Sequence, residues 1–169
     1  MSNNGEYAGF ERRYMPSDGG VFDVYCFTAA GHRRQAPNPC RKFHISSDQA
    51  SAVRLAHAVL PLLRDLDYYH KVVRFERLQQ WFTNAFDEPM DDGQIGKFIT
   101  VYTPNTRPAW DTMLGEVAQS LRHMKQGLHL KPHPNPIVQR TGNAQGHREW
   151  EIPNSGGMLF GGFETNPSR

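Results

Sequence analysis

The chain has only two cysteines, Cys26 and Cys40, in 169 residues. That excludes a disulfide-stapled scaffold and a zinc cage built from CxxC pairs, and both thiols are expected to be small buried residues. Long hydrophobic runs are also missing. No apolar stretch approaches the ~20 residues that a membrane span requires, and the opening MSNNGEYAGF has no apolar signal core. Charge of one sign is not in excess either. The formal net charge is +2, with 17 acids interleaved among the Lys and Arg residues, so no broad nucleic-acid surface is expected, although a local cluster could still hold a phosphate. There is no G-x-S-x-G elbow for a serine nucleophile. The H-x3-H spacing of His129 and His133 contains Pro132 and is followed by Pro134. These prolines forbid the helix that would bring both rings to one side, so no metal site is expected.

What remains is one domain's worth of alternating and periodic segments. Residues 1–19 are polar and glycine-dotted and are expected to form a flexible arm, leaving a single domain over 20–165. "GVFDVYCFTA", 20–29, alternates as a strand that is apolar on both faces, and "AGHRRQAPNPCR" reads as a loop whose Arg33-Arg34 pair is a solvated tip. A short strand follows at 41–45. Ser46, Ser47 and Asp48 then offer N-caps to a helix whose stripe of Ala50, Val53, Ala56, Leu60 and Leu63 ends near Asp67. "YYHKVVRF", 68–75, is a strand with Lys71 and Val73 on one side and His70 and Val72 on the other. "ERLQQWFTNAF" is a short helix and "DEPMDDGQIG" an acidic loop. "KFITVYT", 97–103, is the clearest strand, rich in β-branched and aromatic residues. Pro104 and Pro108 end it and open a helix from about Ala109 to Gln126. Beyond Gly127 only "PIVQR" and "GMLFGGF" read as strands. The expected fold is α+β, with a mixed, mostly antiparallel sheet packed against helices.

The chemistry concentrates in "CRKFHISSDQA", 40–50. Side chains two apart in a strand share a face, so Lys42 and His44 stand side by side while Phe43 and Ile45 face away. Lys71 with His70, and Lys97 ahead of Tyr102, are further proton-carrying groups on or beside strands. A lysine within a strand is costly unless it faces water or a cavity. Each alone reads as a solvent-facing edge residue; three on neighbouring strands suggest a shared polar cleft.

"KFHIS" before a capped helix, then "HKVV", then "GKFITVYTP" before another helix, resembles the phosphothreonine lyases among bacterial type III secretion effectors. It is also similar to the lyase domains of class III and IV lanthipeptide synthetases. The resemblance runs from about residue 20 to 126. It implies β-elimination of phosphate from phosphothreonine or phosphoserine in a peptide or protein, without a cofactor, leaving a dehydroamino acid. It further implies Lys71 as the base that takes the α-proton, His44 as the acid that protonates the leaving oxygen, and Lys42 as the neighbour that steadies negative charge. Tyr102 matches a tyrosine at the phosphate pocket, with Lys97, Arg140 and Arg148 as candidate phosphate ligands. The C-terminal "MLFGGF" is similar to the R-Y-G-G-F of the synthetase domains, with Leu159 in the place of the arginine. The elementary chemistry agrees with these roles. Removing a weakly acidic α-proton requires a neutral base and a nearby cation, and burial beside other cations can give a lysine that neutral form. Two other readings accompany this one: a catalytically dead lyase-like domain that binds a phosphopeptide or partner, and a two-histidine phosphoesterase suggested by the single His44-Ile45-Ser46. A monomer is expected, with no nucleic-acid or membrane partner, located in the cytoplasm or secreted into a host cell by a signal not visible in the sequence.

Overall fold

The computed structural model describes residues 7, 13–83, 96–134 and 151–165. Six strands form one sheet: β1 (Tyr14–Pro16), β2 (Phe22–Tyr25), β3 (Cys40–Ile45), β4 (Tyr69–Val73), β5 (Ile99–Pro104) and β6 (Leu159–Thr165). Their order is β1-β2-β4-β5-β3-β6. Every neighbouring pair is antiparallel, so the expected α+β class holds and the sheet is antiparallel throughout.

The longer helices cover one face. Helix α1 (Ala52–Asp65) buries Leu55, Val59, Leu60 and Leu63, each contributing about 2 kcal/mol of hydrophobic stabilisation. Its start lies beyond the Ser46–Asp48 caps that the sequence offers. Asp48 still makes a capping-type bond, its Oδ1 accepting from the Ser51 amide at 2.9 Å in the turn before the helix, whereas the Ser46 and Ser51 hydroxyls accept from the amides of His133 and Lys131, both at 2.9 Å. Capping-type residues here tie the 131–133 segment across the top of the helix instead of opening it. Helix α2 (Leu78–Thr83) is short and buries Trp81.

A third helical stretch runs without interruption as α3 (Arg107–Thr112), a π-helical turn (Met113–Val117) and α4 (Ala118–Leu128). It starts two residues earlier than the expected 109, because Pro108 sits in the first turn, where its missing N–H costs nothing. Thr106 caps it, accepting from the Ala109 amide at 3.3 Å. Phe43 of β3 meets Trp110 of α3 at 5.7 Å between ring centroids, which identifies the Phe43 face of the sheet as the helix face. Phe43, Ile45, Val72, Ile99 and Val101 are all fully buried there.

Within the segment expected to be a flexible arm, Tyr14–Pro16 pairs with β2 and Tyr7 is buried, its hydroxyl donating to the Val73 carbonyl at 2.7 Å. The expected strand over 20–29 is shorter, because the chain leaves β4 after Tyr25 and turns back on itself, with Phe27 bridged to Arg33. "PIVQR" lies outside the described residues, whereas "GMLFGGF" contributes to β6. Neither cysteine forms a disulfide; both are buried. Among the described residues no helix is long and apolar enough to cross a membrane.

Candidate active site

The face of the sheet away from Phe43 carries the sequence-predicted residues. Register aligns them in two rows across β3, β5 and β4. Lys42 lies opposite Tyr102, which lies opposite Tyr69; His44 lies opposite Thr100, which lies opposite Lys71. Pairs directly opposite share a face, so Lys42, His44, Tyr102 and Lys71 all stand on the same side. His44 and Lys71 are two strands apart, roughly 10 Å between backbones, which leaves space between an imidazole and an amine for a reacting group.

Each position is set by its surroundings. The Lys71 ammonium lies 4.3 Å from the centre of the Phe22 ring, and Phe22 is braced edge-on by Trp81 of α2 at 5.5 Å. Burial in this aromatic corner pushes the Lys71 amine below the usual lysine range, and the nearby Lys97 charge pushes it further. Lys42 stands 5.4 Å from the Tyr102 ring centre. Tyr102 is 5% exposed and meets Tyr69 edge-on at 5.6 Å. Its hydroxyl is held far above the ordinary tyrosine range by burial, then by Tyr69 and Cys40, so it stays protonated and can donate. His44 and Thr100 are each 3% exposed.

Lys97 precedes β5 and is half-buried, with its charge felt at Lys71. Arg140 and Arg148 lie outside the described residues. His70, which the sequence groups with Lys71 as a proton carrier, faces the other way. Its Nδ1–H donates to the Tyr68 carbonyl at 2.7 Å, so its Nε2 accepts from the Tyr14 hydroxyl at 2.7 Å, and the Tyr25 ring stacks on it at 4.8 Å. Complete burial lowers its pKa to about 3, holding it neutral.

Four contributors escape a reading of the sequence alone. Tyr69 and Phe22 reach the site only through the register of β4 with β5 and β2. Arg33 and Arg34, expected as a solvated tip, lie close enough for their charges to act on the Tyr69 hydroxyl; Arg34 Nη1 also pairs with Asp67 Oδ2 at 3.0 Å. The tight turn bridging Phe27 to Arg33 brings them there, and only the Gly31 within it marks that turn in the sequence.

The antiparallel sheet with its long helices on one face is a fold similar to that of solved phosphothreonine lyases. The type III effector and phosphothreonine lyase OspF from Shigella flexneri superposes with a TM-score of 0.55 at 16% identity, over 92% of this chain and 70% of that one. A second phosphothreonine lyase structure gives 0.52 at 16% identity, over 99% of this chain and 79% of that one. The Chromobacterium violaceum VirA (SpvC) phosphothreonine lyase effector gives 0.48 at 18%, over 94% and 70%. At these identities the likeness is one of fold. The chain belongs to the family described as the RamC N-terminal domain, whose model matches residues 23–129. No curated protein matches it in sequence.

Proposed function

We propose that the protein is a phosphoserine/phosphothreonine lyase that acts on a phosphorylated peptide or protein. The observation that carries this reading is the placement of Lys42, His44, Lys71 and Tyr102 on one face of three adjacent strands, with burial and then Lys97 lowering the Lys71 pKa. The Lys71 amine, neutral, takes the α-proton of the phosphorylated residue. The electron pair left on Cα forms the Cα=Cβ bond as the Cβ–O bond breaks. His44, as imidazolium, protonates the departing phosphate oxygen, so a dehydroamino acid and inorganic phosphate are the only products. Lys42 offsets the negative charge that builds up during transfer, and the protonated Tyr102 hydroxyl donates to the phosphate. Arg140 and Arg148 are proposed as the phosphate clamp, because a guanidinium fork matches two phosphate oxygens. Water is not a reactant, and the residues named supply both acid and base.

The fold shared with two solved phosphothreonine lyases supports this choice over hydrolysis, since an amine near Cα has no use in a phosphoesterase. The setting is that of a secreted effector or of a peptide-tailoring enzyme. Incubation with a phosphothreonine peptide should leave a product about 98 Da lighter, the mass of phosphoric acid. A product only about 80 Da lighter, the mark of hydrolysis, would remove the lyase assignment.

A further inference from the structure

Thr100 stands directly opposite both proposed proton carriers. β5 sets it against His44 of β3 on one side and against Lys71 of β4 on the other. Cβ atoms of directly opposite residues are about 5 Å apart and share a face, so Thr100 lies between the imidazole and the amine. Its side chain is the shortest of the three, which makes it the floor where the other two are walls. The Lys71 ammonium leans away from it, 4.3 Å from the centre of the Phe22 ring, and Phe22 belongs to β2 on the far side of β4. Thr100 is 3% exposed, so a group that meets its hydroxyl meets it out of bulk water.

A hydroxyl is costly at such a position unless it is hydrogen-bonded, because an apolar side chain of the same shape would lose nothing on leaving water. Thr103 of the same strand shows the usual remedy. It is fully buried, and its hydroxyl donates to the Arg41 carbonyl at 3.4 Å. Among the described residues none hydrogen-bonds the Thr100 hydroxyl. Its partner is then sought in what the cleft receives. A base acting on Cα and an acid acting on the ester oxygen hold the Cα–Cβ–O–P segment of a phosphorylated residue between them, directly above Thr100. The acceptors on that segment are the ester oxygen and the phosphoryl oxygens, and its carbons offer none. We propose that the Thr100 hydroxyl donates a hydrogen bond to the phosphate of the bound residue, which makes Thr100 a further catalytic residue. The hydroxyl gives up no proton. It offsets the charge that gathers on the departing oxygen until His44 protonates it. The inference rests on the lyase reading for its ligand.

The test measures binding in the full chain carrying Lys71→Ala, so that a labelled phosphothreonine peptide is held and not consumed. Its affinity and that of the unphosphorylated peptide are read by fluorescence anisotropy. Thr100→Val keeps the β-branched shape that suits a strand and removes the hydroxyl, whereas Thr100→Ser keeps the hydroxyl and removes the methyl group. The valine variant should bind the phosphopeptide at least about tenfold more weakly, the scale of one hydrogen bond to a charged acceptor, with the weaker binding of the unphosphorylated peptide unchanged. The serine variant should stay within about threefold of the Thr100 parent. Undiminished phosphopeptide binding by the valine variant would overturn the inference. So would equal losses for the two peptides, the mark of a bond to the peptide backbone, or a serine variant as weak as the valine one, the mark of packing. The chain with Lys71 intact, read by mass, judges the lyase reading separately. A phosphate-selective loss in the valine variant without the change of about 98 Da discards the lyase and keeps the Thr100 contact, and the reverse result discards the contact.

Discussion

His70 and Lys71 are consecutive residues of one strand, and burial pushes the pKa of both downward, yet they face opposite sides of the sheet and have different fates. On the helix face, both His70 ring nitrogens are used, one on the Tyr68 carbonyl and one on the Tyr14 hydroxyl. The ring is locked between β1 and β2 and has no proton to exchange. On the other face, Lys71 rests on the Phe22 ring and looks across β5 toward His44. The lesson is that a perturbed pKa marks a reactive group only where a substrate can reach it; where every hydrogen bond is already made, it marks a structural one.

Substitutions on the two faces should therefore fail differently. The largest effect is expected from Lys71→Ala, which should lower phosphate release by roughly 10²- to 10⁴-fold with little change in thermal stability; His44→Ala should behave alike. Phosphate release and a melting curve measured on the same preparations check this. His70→Ala should reverse the pattern, costing about 3 kcal/mol of stability through the cavity and the severed network, visible as a lower denaturation midpoint. Tyr14→Phe is the milder version. It leaves His70 Nε2 buried without its donor, and about 1 to 2 kcal/mol should be lost.

Stability against pH sharpens the comparison further. The folded-state pKa of His70, about 3, lies below its unfolded value of 6.5, so falling pH protonates the unfolded chain first and stability declines from about pH 6.5 toward 3. Asp23 acts in the opposite sense. Its burial raises the pKa from 3.8 to about 6, despite Arg74 and with a push from Glu76, so its contribution is complete below pH 3.8 and is lost as pH rises through 6. The two offset each other between about pH 6 and 4. Asp23→Asn should remove the offset and make the acid-side loss steeper in a denaturant series. The smallest effect should come from Lys97→Gln. Without the Lys97 charge the Lys71 amine holds its proton more tightly, and the rising limb of the rate profile should move to higher pH.

Much of this arrangement can be read from the sequence by period alone. The alternation in "CRKFHI" and "YYHKVV" already separates Lys42, His44 and Lys71 from Phe43, Ile45 and His70, because a pleated strand allows only two directions. Pairing is not legible in that way. Lys71 meets the Lys42–His44 strand only because β5 inserts between β4 and β3, a non-local choice that no window of residues specifies. The partners of His70 are similarly distant, one of them from a strand of three residues inside a polar N-terminal segment with no strand signal of its own. Helix starts are less legible where a residue has a second use: Ser46 and Ser51 bind a distant backbone, and Pro108, which opens its helix as expected, does so from inside a first turn that begins at Arg107.

The central claim is that the Cβ–O bond breaks, with Lys71 as base, and that water takes no part. The most direct measurement runs the reaction with a phosphothreonine peptide in heavy-oxygen water and weighs the released phosphate. Elimination leaves all four original oxygens on phosphorus, so the phosphate should carry no label and the peptide should gain none. Phosphate heavier by about 2 Da would mean that water attacked phosphorus, and would contradict the account.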